Sequence, residues 1–208
     1  MGPREYQKHI RKLEVEEFPE LTENDYSVES IEHGANIIFT PNHQFTPSHP
    51  LLTEEIVTDL QASGKSLLSV GCGPAYLERL LTRKLGLKSK QITLGDISKN
   101  YIPLGFQFHR FDMYGDWPQF QQAFDYIIFP ESVLINVRFK KDSEKIDGLY
   151  HIITNSLDRL NASGEIRMNG HCQLPENVSL VADRLSHYYH DTKVNYHCFE
   201  LLTVTKEK

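Results

Sequence analysis

The segment SLLSVGCGPAYLERLL, residues 66–81, decides the fold that we predict for this chain. Its first part, residues 66–70, is a short apolar run of the kind found in strands buried on both faces of a sheet. Its second part and its continuation repeat leucine at the spacing of one helical face, at Leu77, Leu80, Leu81 and Leu85. The segment therefore predicts a strand that turns directly into a helix, which is how an α/β unit begins.

The turn between the predicted strand and helix is made of small residues, with Gly71 and Gly73 on either side of Cys72. Because glycine has no Cβ, the chain can turn tightly here and a ligand can approach the backbone closely. The following helix directs its unpaired N–H groups and the positive end of its dipole toward the same place. The turn therefore predicts a binding site for a nucleotide-type ligand.

The spacing of the small residues distinguishes between types of nucleotide ligand. A dinucleotide fingerprint has its third glycine at the position that Tyr76 occupies in this chain. Residues 70–75 read VGCGPA instead, which resembles the first motif of the class I S-adenosylmethionine-dependent methyltransferases. The resemblance covers residues 50–205 approximately. It implies that Gly71, Cys72 and Gly73 hold the methionine end of S-adenosylmethionine and that Ala75 belongs to the same cofactor site.

A second strand is predicted over residues 91–96, and it ends in Asp96. The position of Asp96 after the glycine turn is close to that at which a strand-end carboxylate reaches a ribose. A carboxylate can accept hydrogen bonds from both ribose hydroxyls at once. The resemblance accordingly implies that Asp96, with Ile97 beside it, binds the adenosyl group. The alternative interpretation is that Asp96 caps a following helical turn.

Alternating aromatic residues over 106–111 predict a third strand, which is followed by Asp112 and Met113. In the resembled family an acidic residue at this place bonds the adenine amino group and its neighbour packs on the ring, so the resemblance implies these roles for Asp112 and Met113. The alternative is an aspartate that serves only its own turn. Only fifteen residues separate Asp96 from Asp112, so we expect a shortened connection without a full crossover helix.

A fourth strand is predicted over residues 124–129 and ends at Pro130 and Glu131. Ligands lie at the carboxyl ends of parallel strands, so we expect Pro130 at the cofactor site and Glu131 as the candidate general base. Glu131 could instead hold the substrate, and an exposed strand-end glutamate with neither role is the remaining alternative. The tip is not the Asn-Pro-Pro-Tyr or Asp-Pro-Pro-Tyr of amino-directed nucleic-acid methyltransferases, which argues against methylation of DNA or RNA adenine. Weaker candidates for the base are His43, His49 and His171.

One position departs from the resembled first motif. Ser69 stands two residues before Gly71, where the family commonly has Asp or Glu. The resemblance still implies that Ser69 lies at the cofactor site. The contact with the ammonium group of the methionine end is then left to other groups of the chain.

The remaining patterns predict a mostly parallel, doubly wound α/β sheet with helices on both faces. We divide the chain into an N-terminal helical or loop extension, residues 1–49, which could cover the site as a lid, and a cofactor-binding domain, residues 50–208. We also predict four helices and a strand. The first helix runs from Pro50 to Gly64, and the second follows the glycine turn and ends at Leu85. A long amphipathic helix is capped by Ser143 and stopped by residues 161–164, and it is followed by a strand over 165–169 and a helix from Pro175. The alternation over residues 193–205 allows one long strand or two short ones, so the sixth strand could be missing or abbreviated.

Composition narrows the function further. The formal net charge of −6 argues against a broad basic face for nucleic acid. Three cysteines at unrelated spacings favour free thiols, the histidines have no metal-ligand spacing, and no run is apolar enough to cross a membrane. We therefore expect a cytoplasmic enzyme without a metal that methylates a small molecule. Two alternatives remain: a non-catalytic module that binds S-adenosylmethionine or a nucleoside, and a nucleotide-dependent oxidoreductase, which Tyr76 disfavours.

Overall fold

A mixed β-sheet between two layers of helices forms the centre of the molecule in the computed structural model. The structure describes residues 51–73, 75–83, 85–97, 105–130, 132–133, 138–139, 141–169, 175–197 and 201–207. The N-terminal extension over residues 1–49 lies outside these ranges, so its assignment as a lid stays a prediction.

The elements alternate between helix and strand along most of the described chain. In chain order they are α1 Glu54–Ser63, β1 Leu67–Val70, α2 Tyr76–Arg83, β2 Ile92–Asp96, β3 Gln107–Arg110, β4 Phe124–Pro130, α3 Asp142–Leu157, β5 Leu160–Asn169, α4 Pro175–Ser186, β6 Thr192–His197 and β7 Leu201–Lys206, with a short 3₁₀-helix at Ser89–Gln91 before β2. In the described ranges the strands form one seven-stranded sheet in the order β3-β2-β1-β4-β5-β7-β6.

The sheet is parallel from β3 to β5, and β7 is antiparallel to both of its neighbours, β5 and β6. The chain runs outward from β1 through β2 to β3, and then crosses back to β4 on the other side of β1. The strand order therefore reverses between β1 and β4, and such a point leaves a crevice beyond the carboxyl ends of the strands. The predicted fold class is confirmed.

Both faces of the sheet are covered by apolar side chains from the helices. On one face, Leu68 and Val70 of β1 belong to a core cluster with residues of α3 and α4 such as Leu149 and Val181. On the other face, Leu67 of β1 belongs to a cluster with residues of α1 and α2. All four residues of β1 are buried because successive side chains enter the two clusters in turn. Strand β1 is therefore buried at the centre of the molecule.

The first two helices are shorter than we predicted. Helix α1 begins at Glu54 because the Thr53 side chain accepts a hydrogen bond from the backbone N–H of Ile56 at 3.4 Å, which is an N-cap. The predicted start at Pro50 was therefore wrong. Helix α2 ends at Arg83 rather than Leu85, and the chain then passes through Gly86 at a φ of +72°.

The boundary between α3 and β5 also differs from the prediction. Helix α3 begins at Asp142 after Lys141, so Ser143 is inside the helix and does not cap it. Residues 161–164, predicted to stop the helix, already belong to β5, whose first residue, Leu160, pairs with Phe124. A register shift beside these residues and a φ of +64° at Ser163 show that the small residues form an irregular strand end.

The C-terminal segment forms two strands, so of the alternatives left open by the sequence the structure has the pair, with the sixth strand present. Strands β6 and β7 pair antiparallel from Thr192 with Lys206 to His197 with Leu201. Six residues are an ordinary strand length, and the pair is held by burial of Leu202 and Val204 in the core. Strand β7 lies between β5 and β6, which closes this side of the sheet.

We expect Gly95→Ala to lower the free energy of unfolding by about 1–3 kcal/mol, the usual cost of overpacking. A Cβ at Gly95 would overlap Phe111 Cε1 and lie 2.8 Å from Phe111 Cζ. The Phe111 ring, directly before Asp112 in the chain, would therefore have to move. Urea denaturation measures the change. Gly115→Ala is the matched control, because its Cβ would meet nothing closer than 3.6 Å; an equal loss in both variants would contradict the packing argument.

Candidate cofactor site

The glycine turn is tied to the end of β2 by backbone hydrogen bonds. The N–H of Gly71 donates to the carbonyl of Gly95 at 2.6 Å, and the N–H of Cys72 donates to the same carbonyl at 3.3 Å. The N–H of Gly73 donates to Asp96 Oδ2 at 2.9 Å. The carboxylate predicted to reach a ribose is therefore oriented by the turn predicted to hold the methionine end.

The backbone of the turn is left-handed at Gly71, Gly73 and Ala75, with φ values of +72°, +53° and +57°. Ala75 donates its N–H to the carbonyl of Cys72 at 2.9 Å, which closes the turn directly before α2. Glycine adopts such φ values at no steric cost, whereas a residue with a Cβ is strained there. The two glycines therefore permit the tight entry into α2 that the sequence predicted.

Two other segments approach Gly71 from β3 and β4. A Cβ built on Gly71 would overlap Ser132 Cβ, and it would lie 2.6 Å from Ser132 Oγ and 3.1 Å from Met113 Cε. Ser132 is held there because its hydroxyl donates to the carbonyl of Val70 at 2.8 Å. Gly71, Asp96 and Met113 thus meet at one place, at the ends of β1 and β2 and in the loop after β3. The contacts of Asp112, the residue that we predicted at the third tip, are made with other residues. That these residues bind a cofactor stays a prediction.

The Asp112 carboxylate makes two contacts within the protein. Oδ1 accepts a hydrogen bond from the N–H of Tyr114 at 3.0 Å, and Oδ2 accepts one from Arg138 Nη2 at 2.8 Å. The Arg138 guanidinium also lies 5.5 Å from the centre of the Tyr114 ring. The first of these contacts is the turn role that we gave as the alternative for Asp112, and an adenine contact would be made in addition to it.

The loop after β3 is braced from the α3 side. Trp117 Nε1 donates to the carbonyl of Met113 at 2.9 Å, and His151 Nε2 lies 3.0 Å from the carbonyl oxygen of Gly115. The rings of Phe111 and Trp117 pack with their centres 5.0 Å apart. These contacts fix the backbone of Met113 and so the direction from which its side chain reaches Gly71.

A buried carboxyl group that we did not predict from the sequence follows the glycine turn. Glu78, in the first turn of α2, is 0% exposed, and so is Ser69 of β1. The Glu78 oxygens and Ser69 Oγ have no hydrogen bond of normal geometry. A glutamate three residues before Leu81, on the apolar face of a predicted helix, was the signal that could have identified it.

Burial controls the protonation of this buried group. Loss of solvent raises the pKa of Glu78 to about 7, against the opposing effects of the nearby Ser69 hydroxyl, its own backbone N–H and Arg79. Asp96 raises this pKa further because it adds a like charge. Burial likewise raises the pKa of the Cys72 thiol, and the charges of Asp96 and Glu78 add to the effect. Cys72 is therefore a protonated thiol, not a nucleophile.

The other predicted site residues divide between described and undescribed parts of the chain. Ile97 follows Asp96 and is 55% exposed, and Pro130 ends β4 opposite Asn169. The candidate base Glu131 and the weaker candidates His43, His49 and His171 lie outside the described residues.

Across the described residues, no group of three or more His, Cys, Asp or Glu side chains could hold a metal ion. None of the helices among them is long and apolar enough to span a membrane.

A separate groove of about 1070 Å³ lies near the amino end of β1, away from the glycine turn. It is lined in part by Asp59 and Tyr126. Asp59 Oδ2 accepts hydrogen bonds from Lys65 Nζ and from the Tyr126 hydroxyl, both at 2.6 Å. These bonds lower the pKa of Asp59, so the carboxylate is already paired within the protein.

Comparison with solved structures finds similar folds at low sequence identity. An S-adenosylmethionine-bound amino pentose methyltransferase from Micromonospora echinaspora is 12% identical, with 73% of this chain and 89% of that chain covered and a TM-score of 0.47. A methyltransferase from Pyrococcus furiosus is 12% identical, with 79% and 88% covered and a TM-score of 0.49. The N-methyltransferase NodS from Bradyrhizobium japonicum is 13% identical, with 73% and 93% covered and a TM-score of 0.47. All three are named as methyltransferases. No protein-family model and no curated protein matches the chain.

Proposed function

We propose that this protein is an S-adenosylmethionine-dependent methyltransferase that acts on a small molecule. The observation that carries the proposal is the meeting of three strand tips around the glycine turn, where Gly73 bonds Asp96 and Met113 reaches Gly71. This place lies beyond the carboxyl ends of the strands, beside the point where the strand order reverses. Ligands of open α/β sheets bind at such points.

The residues present fit an adenosyl ligand with an amino-acid end. Because Gly71 has no Cβ, Ser132 and Met113 can approach the turn closely, and the start of α2 offers backbone N–H groups to a carboxylate. Asp96 would accept hydrogen bonds from the ribose hydroxyls, and the exposed side chain of Ile97 would cover the adenine. Asp112 and Met113 would contact its edge and its other face.

The bound cofactor would supply a methyl group on a sulfonium, so the chemical reactivity is not made by the protein. Methyl transfer is an in-line displacement, and alignment of the reacting atoms provides most of the rate. The task of this chain is therefore to position the acceptor in front of the turn. A base is needed only for a protonated acceptor, and we assign that role to Glu131, with His43, His49 and His171 as weaker candidates.

A small-molecule acceptor is favoured by charge and by the tip of β4. The net charge of −6 opposes binding to a polyanion. The Pro130-Glu131-Ser132 tip also differs from the tips that amino-directed nucleic-acid methyltransferases use. A cytoplasmic location stays a prediction from composition.

The experiment that tests the proposal measures both binding and turnover. The protein is incubated with S-adenosylmethionine and a panel of small amines, alcohols and thiols, and release of S-adenosylhomocysteine is followed. We expect acceptor-dependent release with at least one class. Tight binding of S-adenosylhomocysteine without release for any acceptor would leave a non-catalytic binding module, and stabilisation by NAD instead would indicate an oxidoreductase.

Asp96→Asn is expected to weaken binding of S-adenosylhomocysteine by about 10- to 100-fold, the value of one or two hydrogen bonds to a charged group. The amide oxygen can still accept from Gly73, so the turn is preserved. Isothermal titration calorimetry gives the dissociation constants. Asp183→Asn, at an exposed position of α4, is the control and should bind as the wild type does; equal affinity of Asp96→Asn would remove Asp96 from the site.

A further inference from the structure

Burial of the Glu78 carboxyl group costs free energy in the protein without a ligand. It is 0% exposed and, within the described structure, no donor reaches either oxygen at hydrogen-bond geometry. A buried polar group without a partner costs about 1–3 kcal/mol, and more when it is charged. Such a group indicates either a residue kept protonated or a site that a ligand completes.

The neighbours of Glu78 place it at the glycine turn. Its charge acts on the Cys72 thiol inside the turn and on Asp96 at the end of β2, and the Ser69 hydroxyl at the end of β1 lies close to it. Asp96 in turn accepts the hydrogen bond of Gly73. The carboxyl group is therefore close to the end of β1 and to the glycine turn, in the first turn of α2.

The charges around Glu78 are mainly negative or neutral. Asp96 is a like charge and Cys72 is a protonated thiol. Arg79, which is 3% exposed, is the cation that acts on Glu78, and its effect is smaller than that of burial. Two carboxyl groups that are close enough for one to raise the pKa of the other favour a cationic group beside them.

An amino-acid end of a ligand supplies such a cation. It carries a carboxylate, which suits the N–H groups at the start of α2, and an ammonium, which needs a carboxylate or hydroxyl acceptor nearby. We propose that Glu78, together with the hydroxyl of Ser69, binds the ammonium group of the amino-acid end of the cofactor. This assignment rests on the proposed function. Glu78 would then provide the negative charge for the ammonium group that the uncharged side chain of Ser69 cannot provide.

The test compares two nucleosides that differ in the amino-acid end. S-adenosylhomocysteine carries it, whereas 5′-methylthioadenosine has the same adenosine and thioether without it. In Glu78→Gln we expect the affinity for S-adenosylhomocysteine to fall about 30-fold or more, the loss typical of one partner of a buried charge pair. The affinity for methylthioadenosine should not change. Glu176→Gln, at an exposed position in the first turn of α4, is the matched control and should leave both affinities unchanged.

The pH dependence of the wild type gives a second measurement that does not need a variant. Because the ammonium pairs with the ionised carboxylate, the ratio of the two affinities should favour S-adenosylhomocysteine increasingly from pH 5.5 to 8, with a midpoint near 7. The groups facing Glu78 are Ser69, Cys72, Arg79 and Asp96.

The outcomes separate the two proposals. If the wild type binds neither nucleoside, the proposed function is wrong and the assignment of Glu78 fails with it. If both nucleosides bind and their affinity ratio is the same in Glu78→Gln and flat with pH, the function stands and Glu78 is only a buried structural residue. A fall in both affinities by the same factor in Glu78→Gln would also overturn the assignment, because it would report a change in the turn as a whole.

Discussion

Gly71→Ala should abolish measurable binding of S-adenosylhomocysteine and lower the free energy of unfolding by about 2–5 kcal/mol, the sum of a strained backbone and an overpacked site. The φ of +72° at Gly71 disfavours any residue with a Cβ. The added methyl would also overlap Ser132 Cβ and lie 3.1 Å from Met113 Cε, so the tips that follow β3 and β4 must move apart. Calorimetric titration and urea denaturation measure the two effects.

Gly64→Ala is the control that separates the effect of backbone strain from the effect of steric overlap in Gly71→Ala. Gly64 follows α1 with a φ of +67°, close to that of Gly71, but a Cβ there would meet nothing within 4 Å. This variant should lose about 1–2 kcal/mol from backbone strain and bind S-adenosylhomocysteine as the wild type does. If Gly71→Ala loses no more stability than Gly64→Ala and still binds, the crowding that we describe at the turn is not present in solution.

Glu78→Gln should be more stable than the wild type at pH 8 by about 3 kcal/mol, and at pH 5 by only about 1 kcal/mol or less. The pKa of Glu78 is about 7 in the folded protein and near its ordinary value of 4.5 when unfolded. The folded state therefore holds the proton more tightly, so the free energy of unfolding falls as the pH rises from about 4.5 to 7. The difference of about 2.5 pKa units corresponds to roughly 3 kcal/mol at 1.36 kcal/mol per unit. Glutamine keeps the shape of the side chain and does not titrate.

Urea denaturation at pH 5, 6, 7 and 8 measures this difference. Glu176→Gln, which also replaces an acidic residue in the first turn of a helix but at an exposed position, should show no such trend with pH. Parallel stability curves for Glu78→Gln and the wild type would mean that the carboxyl group is solvated. The stabilised variant is also the one expected to lose ligand affinity, which is the usual relation between stability and a binding site.

The central α/β unit could be predicted because its signals are local. The apolar run of β1, the glycine turn and the leucine spacing of α2 each depend on neighbouring residues, and the structure places Leu67–Val70 and Tyr76–Arg83 accordingly. Tertiary contacts decide the elements that were predicted less well. Residues 161–164 have the composition of a loop, but pairing between β4 and β5 extends the strand to Leu160. The β6–β7 pair is likewise stabilised by core contacts of β7 that no local pattern reveals.

For the site, the sequence predicted which strand tips would meet but not their internal contacts. The spacing of Gly71, Asp96 and Met113 follows from the order of parallel strands, which is a property of topology. The pairing of Asp112 with Arg138 depends on a segment 26 residues further along the chain. The burial of Glu78 depends on how α2 packs against the sheet, and a charged residue on a helix is ordinarily exposed. Such long-range geometry is visible only in three dimensions.

The carbonyl of Gly95 accepts from two successive amides of the turn, and the next residue, Asp96, accepts from a third. The glycine turn and the end of β2 are thus hydrogen-bonded to each other in the protein without a ligand. A ligand entering the crevice need not order the backbone of the turn, so little conformational entropy is lost on binding. Selectivity among ligands should then come from which molecules fit a rigid opening, and adaptation to new acceptors would have to take place in the segments around it.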